Sequence, residues 1–176
     1  MPLVPIKLLF IEDSPHDAEL ALLALERNGL AVDSTLVYDH EAAERALTNE
    51  RFDLIVSDYL LPGSSGAQAL EVARRLAPQT PFIFLSGMFG EEHAVEMMRL
   101  GAVDYVLKQN LPFLPKAIDR AMAEVNEREQ RRRVEDTLQA VEARARLAIG
   151  AARMGMWDYV PAVSYTHLTL PTILLV

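Results

Sequence analysis

The sequence predicts an α/β fold, a doubly wound five-stranded parallel sheet with an extended C-terminal helix. Three observations carry that prediction. Short apolar runs alternate with amphipathic stretches five times within the first 130 or so of 176 residues. The runs LLFI, LIV and FIFL have almost no polar positions, as expected of parallel strands covered on both faces. Helix caps and stops (Ser14, Pro15, Gly29, Pro78, Gly101) fall between the runs, where a strand–helix alternation needs them.

The elements follow in order. IKLLFIE, from Ile6, is the first strand, and SPHDAELALLALERNGL is a helix with Ser14 as its cap, Pro15 in its first turn and Gly29 as its stop. DSTLVY is a second strand, more polar and so placed near an edge, and DHEAAERALTN is the second helix. DLIVSD is the third strand, LPGSSG a turn, and SGAQALEVARRLAP a helix closed by Pro78. PFIFLS is the fourth strand, EEHAVEMMRLGA a helix ended by Gly101, and DYVLK the fifth strand. A long helix begins near Leu114, and its apolar positions Ile118, Met122 and Val125 are expected to pack on the sheet.

Composition narrows the function. Apolar residues make up 51%, enough for a core, and the formal net charge is −8, which argues against direct binding to nucleic acid. The acidic excess belongs to residues 1–116, with 17 Asp+Glu against 9 Lys+Arg; residues 117–176 hold 8 of each. There is no cysteine, no basic-then-apolar leader and no apolar run of membrane-spanning length, so the reading is a cytoplasmic protein that does not meet a membrane.

Right-handed crossovers put the C-terminal ends of all five strands on one rim, where open α/β sheets bind ligands. That rim receives Glu12 and Asp13 from strand 1, Asp58 from strand 3, Ser86 from strand 4 and Lys108 from strand 5. Clustered carboxylates repel unless a cation joins them, and a hard oxygen-seeking ion such as Mg²⁺ is the natural one. One carboxylate is then placed to attack a phosphoryl group while the metal and the lysine neutralise its oxygens. Taken singly, each of these residues has an ordinary use. Asp58 fits a turn, Glu12 and Asp13 a helix N-terminus, Ser86 a turn and Tyr105 a half-buried strand. The weight lies in all of them falling in register. The four histidines, His16, His40, His93 and His167, have no metal-ligand spacing and are read as structural or incidental.

The set IED, LIVSDYLLPGSSG, FIFLSG and GAVDYVLK resembles the receiver domain of two-component response regulators over residues 6 to about 125. The resemblance implies a flavodoxin-like sheet of order 2-1-3-4-5 and a specific set of roles. Asp58 is the phosphoacceptor. Asp13 binds Mg²⁺ directly, Glu12 acts through water or a second contact, and the Leu60 carbonyl is a further ligand. Lys108 holds a phosphoryl oxygen, and Ser86 and Tyr105 form the switch. It further implies a histidine kinase or phosphotransfer protein as partner, and a phosphoacceptor that assists its own phosphotransfer and dephosphorylation rather than an enzyme. Gln109 stands where the family often has proline after the lysine, so the loop beyond Lys108 is expected to take its own path. The alternative class is a non-phosphorylated module that uses the same fold to dimerise.

Beyond residue 125 the chain changes character. Val134, Leu138, Val141, Ala145 and Ala148 repeat at spacings of four and three, a short heptad seam in a signalling linker over residues 126–146 that pairs with its own copy. Residues 147–162, with Ala151, Ala152, Gly155, Trp157 and Asp158, resemble the truncated start of a PAS sensory domain, so the output lies in a part not present here. From Val163, VSYTHLTLPT resembles one reading frame of a transposase mosaic-end adapter, and residues 163–176 are expected to be non-native.

Overall fold

The computed structural model describes residues 5–61, 63–87 and 91–157. The adapter-like tail and the last residues of the PAS-like stretch lie outside them. The chain divides into two units, residues 1–130 and 131–176.

In the first unit five parallel strands form one sheet: β1 (Ile6–Ile11), β2 (Val32–Val37), β3 (Leu54–Asp58), β4 (Phe82–Ser86) and β5 (Asp104–Leu107). Their order is β2-β1-β3-β4-β5, with Ile11 beside both Val37 and Ser57, Asp58 beside Leu85, and Ser86 beside Leu107. The strands are separated by α1 (Pro15–Arg27), α2 (His40–Asn49), α3 (Gly66–Leu76) and α4 (Glu91–Leu100) and are followed by α5 (Leu114–Trp157).

Side chains alternate across the sheet and build two cores. Leu8, Phe10, Leu54, Val56, Ile83 and Leu85 face α1 and the first turns of α5, where Leu114, Ala117, Ile118 and Ala121 are buried. Leu9, Ile11, Ile55, Phe82 and Phe84 face α2, α3 and Met97 of α4. β3 and β4 are buried throughout, whereas β2 is only half-buried and lies at the edge, as its polarity predicts.

Capping chemistry sets the helix starts. Ser14 accepts a hydrogen bond from the Asp17 amide, and Asp39 accepts one from Ala42. Ser65 and Gln68 form a reciprocal capping box at α3. The LPGSSG turn is a small antiparallel hairpin, Leu60–Leu61 against Ser64–Ser65, which turns at Gly63 with φ of 69°. One feature differs from the sequence reading. Lys108 does not end β5; it opens a 3₁₀ turn, Lys108–Phe113, that breaks at Asn110. No described peptide bond is cis, and Gln109 lies within the 3₁₀ turn. The final helix runs through the linker to Trp157, inside the stretch that resembles the start of a PAS domain.

Candidate functional site

Glu12 and Asp13 follow β1 directly. The Glu12 amide donates to the Val37 carbonyl at 2.9 Å, which continues the ladder by one residue and keeps the Glu12 side chain fully buried. Asp58 closes β3 and is 6% exposed; its backbone is tied to β4 and the start of α3 through Tyr59, whose amide donates to Leu85 O and whose carbonyl accepts from the Gly66 amide. The Leu60 amide donates to Asp58 Oδ1 at 3.1 Å, so the hairpin fixes that carboxylate's rotation. Oxygens of Glu12, Asp13 and Asp58 lie within 4.8 Å of one another.

Lys108 reaches into this cluster from the start of the 3₁₀ turn. Its Nζ donates to Asp58 Oδ2 at 2.6 Å and to Asp17 Oδ2 at 2.8 Å. Glu12 Oε2 lies 2.8 Å from the same ammonium as an ionic contact, but without the alignment of a hydrogen bond, and it is a buried oxygen left without a hydrogen-bond partner. Glu12 Oε1 accepts from the Ser14 amide at 3.1 Å. Burial pushes the Glu12 carboxyl above its ordinary pKa, helped by the Asp58 charge and opposed by Lys108 and the Ser14 N–H. Burial acts to lower the Lys108 pKa, but the hydrogen bonds to Asp17 and Asp58 and the ionic contact with Glu12 outweigh it and hold the ammonium above its ordinary range.

Glu12, Asp17 and Asp58 contact one ammonium and Asp13 lies beside Glu12 and Asp58, leaving formal charge −3 over these five groups. An oxygen-only donor set with an orphaned buried carboxylate oxygen fits a small, hard divalent cation held by Glu12, Asp13 and Asp58.

Ser86, 1% exposed, ends the strand beside β3. Tyr105 stands opposite Phe84 on β5, half-buried, and packs with the α2–α4 core rather than with the carboxylates. Asp17 is the site residue that the sequence reading did not single out. A signal for it exists: an acid in the first turn of α1 stands over the rim at which β1 ends.

A parallel sheet whose C-terminal rim gathers carboxylates around one lysine, with no glycine-rich phosphate loop after β1, defines an acidic-cleft α/β domain. The chain matches the response regulator receiver domain family over residues 8–119, and it belongs to that family. It is similar to the phosphate regulon transcriptional regulatory protein PhoB of Klebsiella pneumoniae, 32% identical over 114 residues that cover 64% of this chain and 48% of PhoB. It is also similar to the response regulator protein FleR of Pseudomonas aeruginosa, 36% identical over 115 residues, 64% of this chain and 23% of FleR. The chain thus spans about half or less of these relatives' length. Among solved structures, the signal receiver domain of a signal transduction histidine kinase from Syntrophus aciditrophicus superposes with TM-score 0.59 at 28% identity, covering 68% of this chain and 92% of that one. The CheY-like receiver domain of Methanospirillum hungatei shares the fold at TM-score 0.62 and 24% identity, over 71% and 99% of the two chains.

Proposed function

We propose that residues 1–125 are a phosphoacceptor module in which Asp58 takes a phosphoryl group from a phosphohistidine of a kinase or phosphotransfer protein. The observation that carries this reading is the pairing of Asp58, nearly buried at a strand end, with the Lys108 ammonium at 2.6 Å. Transfer forms an Asp58 Oδ–P bond and breaks the P–N bond, whose electron pair returns to the departing imidazole. Lys108 neutralises a phosphoryl oxygen as charge moves across the group. Leu60 N–H and Lys108 together orient the Asp58 carboxylate before attack.

Glu12, Asp13 and Asp58, with the Leu60 carbonyl, would hold Mg²⁺, which when bound screens the phosphoryl oxygens from the carboxylates. Ser86 would turn its hydroxyl towards the phosphoryl group, and Tyr105, one strand away, would adjust with it. The chain stays a phosphoacceptor rather than a stand-alone enzyme in this reading.

The seam in α5 supports a second element of the proposal, a linker over residues 126–146 that pairs with its own copy and leads to a PAS-type module beginning near residue 147. No described helix is long and apolar enough to cross a membrane. The cytoplasmic location and the absence of nucleic-acid contact remain part of the proposal.

The test is Asp58→Asn incubated with Mg²⁺ and radiolabelled acetyl phosphate. Label is expected on the wild-type chain and none on the variant. Equal label on both places the acceptor elsewhere, and no label on either favours the alternative, an interaction module that dimerises without phosphorylation.

A further inference from the structure

Lys108 leaves β5 at the first residue of a 3₁₀ turn that breaks two residues later at Asn110. Its four-carbon stem therefore has little regular structure around its root, and a free lysine side chain has many rotamers to lose on being held. Two of its three anionic contacts, Glu12 and Asp58, come from the sheet rim. The third, Asp17, comes from a different element and from the half-exposed side.

Asp17 is itself held firmly. Pro15 starts α1, and Ser14 Oγ accepts the Asp17 amide at 3.3 Å, which sets Asp17 as the third helical residue. Its Oδ2 is 2.8 Å from Nζ. Nothing in the phosphoacceptor reading uses Asp17: it is not among the carboxylates grouped for a cation.

We infer that Asp17 is a positioning residue, which holds the Lys108 ammonium over Asp58 from the first turn of α1. The inference rests on the phosphoacceptor reading for its consequence, but not for its geometry. When Asp58 becomes an acyl phosphate, its Oδ2 is no longer a full anion and its claim on Nζ weakens. Asp17 is untouched by the transfer and its side-chain oxygen keeps one N–H engaged, so another N–H points to where the phosphoryl oxygen arrives. The lysine then need not search for its position during transfer.

A purely structural use of Asp17 is available, since an anion in the first turn favours the helix dipole. The two uses separate with two variants. Asp17→Asn keeps an oxygen acceptor but loses the charge that a dipole effect needs; Asp17→Ala loses both. The experiment uses the full chain with Mg²⁺ and acetyl phosphate and reads the labelling rate constant, beside the side-chain ¹⁵N resonance of the Lys108 ammonium. With only three lysines, Lys7, Lys108 and Lys116, that resonance is assigned by its loss in Lys108→Met.

The expected result is labelling about fivefold slower in Asp17→Ala and within about twofold of wild type in Asp17→Asn, the scale of one lost contact to a positioned charge. The slowly exchanging ammonium resonance should persist in Asp17→Asn and broaden away in Asp17→Ala. Equal slowing in both variants, or an unchanged Lys108 resonance in Asp17→Ala, overturns the inference. A wild-type chain that shows the Lys108 resonance but takes no label overturns the phosphoacceptor reading instead, a separate and recognisable failure.

Discussion

At the scale of single residues the dominant fact is unbalanced charge. Asp13 is exposed and adds to the repulsion on buried Glu12 and Asp58 without sharing the lysine. Replacing it with asparagine should therefore raise the melting temperature of the metal-free chain by about 2–4 °C at low salt. On the phosphoacceptor reading the same change should also remove most of the stabilisation expected from Mg²⁺, about 2.7 kcal/mol at a hundredfold excess over the dissociation constant. Circular-dichroism melts with and without Mg²⁺ measure both effects. A lower metal-free melting temperature in Asp13→Asn would show that Asp13 is structurally satisfied and not repelled. Lys108 has the opposite sign of dependence. Its folded pKa lies above the ordinary 10.5, so its contribution is complete below that value and declines as pH rises beyond it towards the folded pKa. The stability advantage of wild type over Lys108→Met, followed by urea unfolding, should be flat from pH 8 to near 10 and shrink above; an advantage that grows with pH would contradict the pairing. Glu12, Asp13, Asp58, Ser86 and Lys108 were legible because each closes or follows an apolar run, so topology alone carries them to one rim. Asp17 was not, because its contact spans 91 residues of sequence and depends on how far two side chains reach.

At the scale of elements, the close approach of α3 to β3 carries the site's rigidity. A Cβ on Gly66 would sit 2.5 Å from the Asp58 carbonyl oxygen and 2.9 Å from Tyr59 Cα, both backbone, and 2.7 Å from Phe84 Cε1. Those backbone atoms cannot rotate aside, so Gly66→Ala should cost about 1–3 kcal/mol despite the roughly 0.5–1 kcal/mol that alanine gains in a helix. Because the atoms that move belong to Asp58 and Tyr59, labelling of Asp58 should slow as well. Gly87→Ala, where a Cβ meets nothing within 4 Å, is the control and should leave stability unchanged in urea titrations. If both alanines behave alike, the packing argument fails. The strands and helices were readable from periodicity and caps to within a residue or two at their ends. The hairpin at Leu60–Ser65 and the 3₁₀ turn were not, since both are made by local turn geometry that carries no apolar period.

At the scale of the whole molecule the two units pose different problems of stability. The first has two cores and an ordinary sheet. The second contains a helical stretch whose apolar side chains are uncovered: Val134 is 68% exposed, Leu138 57% and Val141 57%. A lone helix in water draws little from propensity, and an exposed i,i+4 pair such as Arg146 with Glu142 adds only about 0.3–0.5 kcal/mol. Spacings of four and three put Val134, Leu138, Val141, Ala145 and Ala148 on one stripe, which a second copy of the same helix would cover. The full chain should therefore sediment as a dimer at micromolar concentration. The far-ultraviolet signal of its helix should melt at a temperature that rises with protein concentration. Leu138→Lys places a charge in the middle of the stripe and should weaken the dimer at least about tenfold, through lost burial and like-charge apposition. A chain ending at residue 130 should be monomeric and accept label on Asp58 at the rate of the full chain, because every side chain assigned to the site lies within that unit. Sedimentation of the full chain as a monomer at about 100 μM, on the order of a hundredfold above a micromolar Kd, or a Leu138→Lys variant as dimeric as wild type, would remove the pairing role from this helix while leaving the acidic cleft untouched.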